Sequence, residues 1–276
     1  MPDGAGQGLP GSGVPVRPAI DPLVRRSQGL FRLFGLYLYW YFWRRFHAVR
    51  VSRSGMPTVP AHVPLIIYSN HPSWWDPALY ILLCNRLFPG RAGYGPMDAA
   101  ALGKYGVLER MGVFAVEQDT PRGAARFLNV CQRVLATPKN ILWITAEGEF
   151  TDPRLRPIKL RPGLAHLARS NPGVVILPLA IEYTFWNESR PEALAHFGEP
   201  IPTGRTRTTA EWTAYLEAAL TRTMDALTAE SAQRNPALFR AIVRGGAGVG
   251  GIYDLWRRVR ALAAGQRFDP SHEGQE

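Results

Sequence analysis

The sequence contains few cysteines, few lysines and no apolar run long enough to cross a membrane. Its two cysteines, Cys84 and Cys131, have no CxxC spacing, which argues against a disulfide scaffold and against a structural zinc site. Only three of the basic residues are lysine, and the rest are arginine. The longest apolar run, 33–43, has 11 residues, whereas a membrane span needs about 20. We therefore expect buried thiols, no metal site and no spanning helix.

The chain has 276 residues and carries excess positive charge. Lysine and arginine total 32 against 22 aspartates and glutamates, which gives a formal net charge of +10. The composition, 46% hydrophobic and 20% charged, excludes a wholly disordered chain. The charge favours an anionic partner, which is a nucleic acid, an anionic lipid or a phosphorylated substrate.

The composition changes along the chain and divides it into five segments. Residues 1–27 begin with a stretch rich in glycine and proline that lacks the pattern of a secretory signal, and we predict a disordered leader. Residues 28–47 form a short aromatic helix, which we predict to lie in the membrane interface, the alternative being a helix packed on the domain. The arginines around it are Arg25, Arg26, Arg32, Arg44, Arg45 and Arg50.

Residues 48–240 alternate between predicted strands and helices, which indicates an α/β domain with a mostly parallel sheet flanked by helices. The predicted strands are 48–53, 64–68, 91–94, 113–116, 141–144, 174–177 and 179–182. The predicted helices are 76–87, 99–111, 121–136, 163–169 and 210–232. Residues 241–264 read as a glycine-rich hinge and a basic amphipathic helix, suited to an anionic membrane surface or docked on the domain. Residues 265–276 are a tail.

A histidine and an aspartate five residues apart follow the predicted strand 64–68. His71 and Asp76 lie between this strand and the predicted helix 76–87, where open α/β sheets place their sites. If the chain curls through one turn, the Asp76 carboxylate accepts a hydrogen bond from Nδ1–H of His71 and leaves Nε2 as a general base. The alternative interpretation is a structural histidine and a helix-capping aspartate.

Two further segments are candidates for binding substrate. Glu147 and Gly148 directly follow the predicted strand 141–144, where a glycine lets the backbone turn sharply beside a ligand. The loop 154–161 holds four basic residues just before a predicted helix, a pattern that suits an anion site. A solvated basic loop is the alternative for the second segment.

Taken in order, four segments resemble the glycerolphosphate/lysophosphatidate acyltransferase family of membrane-bound bacterial lipid enzymes. They are the family's HxxxxD block at 71–76, its second block at 112–118, its EG block at 147–148 with 157–163 after it, and its apolar block with proline at 176–181. The resemblance covers about 120 residues, from 63 to 182. Each motif is modest alone, whereas four in order are specific.

The resemblance implies an O-acyltransferase. His71 would take a proton from a lipid hydroxyl whose oxygen attacks the thioester of acyl-CoA or acyl-carrier protein, and Asp76 would orient His71. It implies no cofactor and no metal beyond the acyl donor as co-substrate. The residues that we expect to bind substrate are Glu147, Gly148, Arg122, Arg154 and Lys159.

The resemblance also implies a location. We expect a peripheral or monotopic protein on the cytoplasmic face of the bacterial inner membrane, with a lipid acceptor, an acyl thioester and an anionic membrane surface as partners, and acyl-carrier protein as a further candidate. We expect no nucleic-acid partner, because the basic residues flank an apolar helix and the predicted site instead of lining one groove with stacking aromatics.

At two positions the chain departs from the family pattern. Gln118 and Phe150 stand where the family carries arginines associated with the acceptor's phosphate, which removes two fixed charges. Two acceptor classes therefore stay open: a lysophospholipid, with its phosphate held by other basic residues, or a phosphate-free lipid such as a glycolipid or glycosylated isoprenoid. The substitute cations would be Lys104, Arg122, Arg154 or Lys159. The same fold could also belong to a non-catalytic lipid-binding protein or to a thioesterase.

Overall fold

The computed structural model describes residues 21–204, 206–246 and Arg260. The helices of these residues are α1 (Pro22–Arg25), α2 (Gln28–Arg45), α3 (Asp76–Leu87), α4 (Ala99–Lys104), α5 (Pro121–Leu135), α6 (Gly163–Ser170) and α7 (Thr209–Ala232). The strands are β1 (Ala48–Ser52), β2 (Leu65–Ser69), β3 (Ala92–Asp98), β4 (Val113–Val116), β5 (Asn140–Thr145), β6 (Val175–Thr184), β7 (Glu192–Phe197), β8 (Ile201–Pro202) and β9 (Phe239–Arg244). Two short 3-10 helices, Gly106–Met111 and Pro236–Leu238, complete the elements.

The strands form one sheet in the order β4-β3-β5-β2-β6-β7-β1-β9, with β8 paired to β6. From β4 to β6 all neighbours are parallel. Strand β7 runs antiparallel to β6 and parallel to β1, and β9 closes the edge antiparallel to β1. The predicted mostly parallel sheet flanked by helices is therefore confirmed. Because β5, β2 and β6 are parallel neighbours, their carboxyl ends meet at one edge of the sheet.

The central strands are buried on both faces. On β2, Ile66 and Tyr68 join an apolar layer with residues of α5, α6 and α7, while Leu65 and Ile67 join a second layer with residues of α2 and α3. All four side chains are fully buried or nearly so. Burial on both faces explains why this strand reads in the sequence as an uninterrupted apolar run.

Helix α2 docks on the second layer with one side and turns the other side outward. Its buried residues, Phe31, Gly35, Leu38 and Phe42, recur at helical spacing. Five large side chains on the rest of its surface are exposed, each by 46% or more, and we call them the exposed face of α2. They are Leu33, Leu36, Tyr37, Trp40 and Trp43. Within the described part of the chain, no helix is long and apolar enough to cross a membrane.

Several predicted boundaries differ from those observed. Helix α1 lies inside the predicted disordered leader, whose first 20 residues are outside the described ranges. The predicted helix 99–111 is divided at Tyr105, which lies between two glycines, Gly103 and Gly106, that favour helix poorly. Strand β6 continues through Pro178, whose carbonyl accepts a hydrogen bond from the backbone N–H of Gly198.

The end of the domain also differs from the prediction. Strands β7, β8 and β9 were not predicted, and β9 carries the sheet to Arg244, past the expected boundary at 240. Arg50, expected among the arginines beside the aromatic helix, is buried on β1 and paired with Glu192 at 2.9 Å. The predicted amphipathic helix 252–264 lies outside the described residues except for Arg260.

Candidate active site

The segment after β2 is tied to β6 by one amide side chain. Asn70, which is 1% exposed, donates from Nδ2 to the carbonyl of Ile181 and accepts at Oδ1 from the backbone N–H of Ile181, both at 2.9 Å. The side chain thus satisfies both backbone groups of Ile181 just beyond the last β2 residue, Ser69. His71 is the next residue, so the hydrogen bonds of Asn70 to β6 hold the backbone before His71 at the carboxyl edge of the sheet.

The predicted hydrogen bond between His71 and Asp76 is present. Nδ1 of His71 lies 2.6 Å from Oδ2 of Asp76, and the backbone N–H of Ser73 donates to the same oxygen at 3.2 Å. Asp76 is the first residue of α3, where a helix N-terminus favours a negative charge. A carboxylate at this distance accepts the proton of Nδ1, which leaves Nε2 as the proton acceptor of the imidazole.

The second oxygen of Asp76 also has a partner. The hydroxyl of Tyr183, on β6, donates to Oδ1 of Asp76 at 2.9 Å. Burial raises the pKa of Asp76, while the hydrogen bonds from His71, Tyr183 and Ser73 oppose that rise. Burial and the neighbouring Asp76 charge raise the pKa of Tyr183 well above its ordinary value, so the phenol stays protonated and remains a donor.

Glu147 joins the loop after β5 to the histidine. Because Ser69 and Thr145 are level in the parallel pair β2–β5, the residues that follow them are neighbours. Oε2 of Glu147 accepts the backbone N–H of His71 at 2.9 Å, and the backbone N–H of Thr151 donates to the His71 carbonyl at 3.0 Å. Burial raises the pKa of Glu147, and the hydrogen bond from His71 opposes the rise. The loop after β5 therefore fixes the backbone of His71 from both sides.

Gly148 turns this loop in a conformation that side chains rarely adopt, with φ 78°. The Arg161 side chain occupies the place where a Cβ on Gly148 would project, and the Arg161 backbone N–H donates to Ala146 O at 2.8 Å. The Arg161 guanidinium pairs with Asp119 at 2.7 Å. A cation thus lies directly on the Glu147–Gly148 turn.

Phe150 covers one face of the catalytic candidate His71. The two ring centroids are 4.3 Å apart, and 62% of the phenylalanine is exposed. The position at which the resemblance expects an arginine therefore presents apolar surface beside the imidazole.

The predicted substrate-binding cations form no hydrogen bond or ion pair with His71 among the described residues. Arg154 pairs with Asp152, two residues away, at 2.6 Å in an exposed loop. Arg122, Lys159 and the alternative Lys104 are exposed on α5, the loop before α6 and α4, respectively. Among the described residues, no group of three or more histidines, cysteines and acids is arranged to hold a metal ion.

Two residues at this site were missed by the sequence reasoning. Tyr183 could have been found from strand register, because Asn70 is bound to Ile181 and Tyr183 is two residues further along the same face of β6. Arg161 belongs to the basic loop that was predicted to bind an anion, but nothing in the sequence distinguishes it from the other arginines there.

Fold and site together define an α/β protein with a histidine and a buried aspartate at the carboxyl end of a central strand. Residues 50–182 match a family model described as Acyltransferase. By this match, which covers slightly less than half of its length, the chain is an acyltransferase.

Other comparisons add less. Among solved structures, the 1-acyl-sn-glycerophosphate (LPA) acyltransferase PlsC from Thermotoga maritima is similar, with a TM-score of 0.46 and 15% identity over 73% of this chain and 79% of that chain. So remote a likeness carries no conclusion about substrate. A comparison with curated proteins finds no match.

Proposed function

We propose that this acyltransferase moves a fatty acyl group from acyl-CoA or acyl-carrier protein to a hydroxyl of a lipid such as 1-acylglycerol-3-phosphate. The observation that carries the proposal is the 2.6 Å hydrogen bond between His71 and Asp76 at the carboxyl end of β2. Asp76 fixes the imidazole tautomer in which Nε2 carries no proton, and an unprotonated Nε2 can act as the base that activates a hydroxyl.

The proposed reaction is a direct transfer. Nε2 of His71 removes the proton of the acceptor hydroxyl as its oxygen attacks the thioester carbonyl carbon, forming a C–O bond. The carbon–sulfur bond then breaks, and the leaving thiolate takes the proton back from the His71 imidazolium. Asp76 stabilises the imidazolium between these steps. The reaction yields an ester and a thiol, with no change of oxidation state.

Substitution of the histidine tests this mechanism. With palmitoyl-CoA and 1-oleoyl-lysophosphatidate in mixed micelles, His71→Ala should lower kcat by about 10²- to 10⁴-fold, the usual contribution of a general base. The matched control is His62→Ala, because His62 is an exposed histidine in the loop before β2. Wild-type turnover in His71→Ala would contradict the mechanism.

The phosphate-bearing acceptor is supported by Arg161. Its guanidinium lies against Gly148, beside the loop that holds His71, and its ion pair with exposed Asp119 is accessible to exchange with a ligand phosphate. A phosphate-free acceptor is favoured by a different observation, which is the exposed ring of Phe150 in contact with the ring of His71.

An acceptor panel separates the two classes. The panel contains lysophosphatidate, lysophosphatidylcholine, a monoacylglycerol and a glycolipid, each with palmitoyl-CoA. If Arg161 holds a terminal phosphate, Arg161→Gln raises KM for lysophosphatidate about tenfold and leaves KM for the monoacylglycerol unchanged. Arg154→Gln is the control, since Arg154 pairs locally with Asp152. Preference for the glycolipid, with no effect of Arg161→Gln, would favour the phosphate-free class.

We also propose that the exposed face of α2 lies on an anionic membrane surface, on the cytoplasmic side of the inner membrane. Tyrosine and tryptophan favour the depth of the lipid headgroups. Three arginines on this helix, Arg32, Arg44 and Arg45, are exposed. The helix contacts the end of the His71 loop, because the ring centroids of Tyr41 and Trp75 are 5.5 Å apart. Contact with lipid there would place the acceptor next to the site.

Vesicle flotation tests the membrane proposal. The full chain should bind vesicles with phosphatidylglycerol more tightly than phosphatidylcholine vesicles, and less tightly as salt increases. The double variant Trp40→Ser/Trp43→Ser should lose most of this binding. Tyr215→Ser is the matched control, because Tyr215 is an exposed aromatic residue on α7, in the layer on the other face of the sheet. Equal loss in both variants would contradict the assignment.

A further inference from the structure

Both oxygens of the Asp76 carboxylate are occupied, and by different parts of the fold. Oδ2 accepts hydrogen bonds from Nδ1 of His71 and from the backbone N–H of Ser73, both in the loop directly before Asp76. Oδ1 receives the hydroxyl of Tyr183, a residue 107 positions further along the chain. A long-range partner on the second oxygen restricts rotation of the carboxylate in a way that the local loop alone does not.

Tyr183 reaches Asp76 because β6 is longer than β2. Strand β2 ends at Ser69, level with Leu179, while β6 continues for five more residues to Thr184. The five residues of β6 past Leu179, 180–184, form an overhang beyond the end of β2. The overhang pairs with β7, where Tyr183 is opposite Ala193 and Thr184 is opposite Glu192. The overhang therefore places the Tyr183 side chain at the edge of the sheet where β2 ends and the His71 loop begins.

The ring of Tyr183 is held from the other side by the end of α2. Phe46, fully buried after the last residue of this helix, lies 6.0 Å from Tyr183 and 5.1 Å from Trp75 between ring centroids. Since Trp75 immediately precedes Asp76, the same aromatic cluster supports both partners of the hydrogen bond.

We infer that Tyr183 is a positioning residue for acyl transfer: it holds the Asp76 carboxylate in the orientation that directs Nε2 of His71 toward the acceptor hydroxyl. The inference rests on the proposed function of His71 as the general base. Tyr183 touches no reacting atom and acts only through Asp76.

The hydroxyl also affects the charge balance of the pair. The Tyr183 hydroxyl stabilises the Asp76 carboxylate most when His71 is neutral, because the positive charge of a protonated His71 already stabilises the carboxylate. Without the donor, the pair takes up its proton more readily, and its apparent pKa rises. The other titratable groups near the pair are Tyr80 on α3, whose nearest charged neighbours include Asp76, and Glu147 in the loop after β5. Both groups remain in place in Tyr183→Phe.

The test is Tyr183→Phe in the full chain, which keeps the ring against Phe46 and removes only the hydroxyl. With palmitoyl-CoA and lysophosphatidate we expect kcat to fall about tenfold, as for loss of one hydrogen bond to a charged group, and KM to change less than about twofold. The acid limb of the kcat profile should move to higher pH by about half a unit or more.

The matched control is Tyr68→Phe. Tyr68 is a buried tyrosine on β2 whose hydroxyl donates to the carbonyl of Leu216 at 2.9 Å, on the face of the sheet away from Asp76. It should lose a similar amount of stability in urea denaturation without moving the acid limb. A Tyr183→Phe enzyme with unchanged kcat and unchanged acid limb would overturn the inference, as would an equal shift in the control.

A second measurement does not depend on turnover. Diethylpyrocarbonate reacts with the neutral imidazole, so the pH midpoint of His71 carbethoxylation, followed by peptide mass spectrometry, reports the protonation of the pair. In Tyr183→Phe this midpoint should rise with the same sign as the acid limb, and an unmoved midpoint would overturn the inference. If the wild type shows no turnover with any acceptor, the proposed function fails, while the midpoint still decides the role of Tyr183.

Discussion

At the scale of single residues, His71 is held by contacts that reach its ring and its backbone separately. Asp76 and Phe150 contact the ring, while Glu147 and Thr151 bind the backbone N–H and carbonyl. Each backbone contact comes from the loop after β5. A change in this loop is therefore expected to alter catalysis even where it touches no substrate.

Gly148→Ala tests this dependence. Gly148 and Gly90 both have positive φ, 78° and 81°, but a Cβ at Gly148 would overlap Arg161, whereas Gly90 has open space around it. Either substitution should lower the free energy of unfolding by about 1 kcal/mol through the disfavoured backbone conformation. Only Gly148→Ala should also lower kcat/KM, by about tenfold, because Arg161 must move away from the turn.

Urea denaturation and turnover with palmitoyl-CoA and lysophosphatidate measure the two effects separately. Gly90→Ala serves as the control for backbone strain. The same kcat/KM in both variants would show that the contact between Arg161 and the turn has no part in catalysis.

Some residues of the site could be predicted from the sequence and others could not. His71, Asp76, Glu147 and Gly148 stand out because they follow apolar strands whose carboxyl ends meet at one edge of a parallel sheet. The predicted roles of Arg122, Arg154 and Lys159 rest on charge alone, and exposed side chains carry no signal in the sequence for where they point. Tyr183 required the register between two strands far apart in the chain.

At the scale of elements, the junction between β2 and β6 decides where the site begins. Asn70 satisfies both backbone groups of Ile181 with its side chain, so the two strands are linked one residue past the end of β2. The link lies directly before His71. It therefore sets the distance between the His71 loop and the overhang of β6, which carries Tyr183.

Asn70→Ala should destabilise the protein more than a comparable buried asparagine. It leaves the N–H and the carbonyl of Ile181 without partners, which we expect to cost about 2–4 kcal/mol. Asn140→Ala, at the start of β5, removes a single hydrogen bond to the carbonyl of Val134 and should cost about 1–2 kcal/mol. Chemical denaturation of both variants gives the comparison, and an equal cost would contradict the linking role of Asn70.

Elements with strong periodic or apolar patterns were predicted well, and those defined by tertiary pairing were not. Strand β2 and helix α3 have clear patterns and lie within a residue of their predicted bounds. Strands β7 and β9 were missed because their pairing with β1 is set by the fold, with no alternation in the sequence to indicate it. Helix α2 is packed on the domain with one side and exposed on the other, so the prediction of a membrane interface concerns the exposed side alone.

At the scale of the whole molecule, the net charge of +10 is divided between several uses. Some arginines are structural, such as Arg50 in its buried pair with Glu192. Arg161 lies beside the site, and Arg44 and Arg45 are exposed at the end of α2. The net charge therefore overstates the charge that is available to bind a single polyanion. The positions of the arginines favour two separate anionic partners, a membrane surface and a substrate.

Stability and activity are expected to depend on pH in opposite ways. Burial raises the pKa of three carboxyls, those of Asp76, Glu147 and Glu182. Between the ordinary carboxyl pKa of about 4 and these raised values, the folded chain binds more protons than the unfolded chain, so stability increases as pH falls and decreases as pH rises. The proposed general base needs a neutral imidazole, which is favoured as pH rises.

Glu182→Gln isolates the stability part of this contrast, because Glu182 is half-buried on β6 and takes no part in the hydrogen bond between His71 and Asp76. Its Oε1 accepts the Ser231 hydroxyl at 2.8 Å, and a glutamine oxygen accepts the same bond without a charge. By scanning calorimetry we expect the Tm of the variant to exceed that of the wild type at about pH 8, and the difference to shrink toward about pH 5 as Glu182 itself becomes protonated.

Glu211→Gln provides a control of opposite sign. The backbone N–H of Thr208 donates to Glu211 in the capping box of α7, and this bond lowers the pKa of Glu211. A lowered pKa contributes stability above the ordinary carboxyl value that is lost as pH falls, so at about pH 8 this variant should melt below the wild type. If both variants shift Tm in the same direction at about pH 8, burial of the Glu182 carboxylate does not set the pH dependence. If they shift in opposite directions, the desolvated carboxylate of Glu182 reduces the stability of the folded chain at about pH 8.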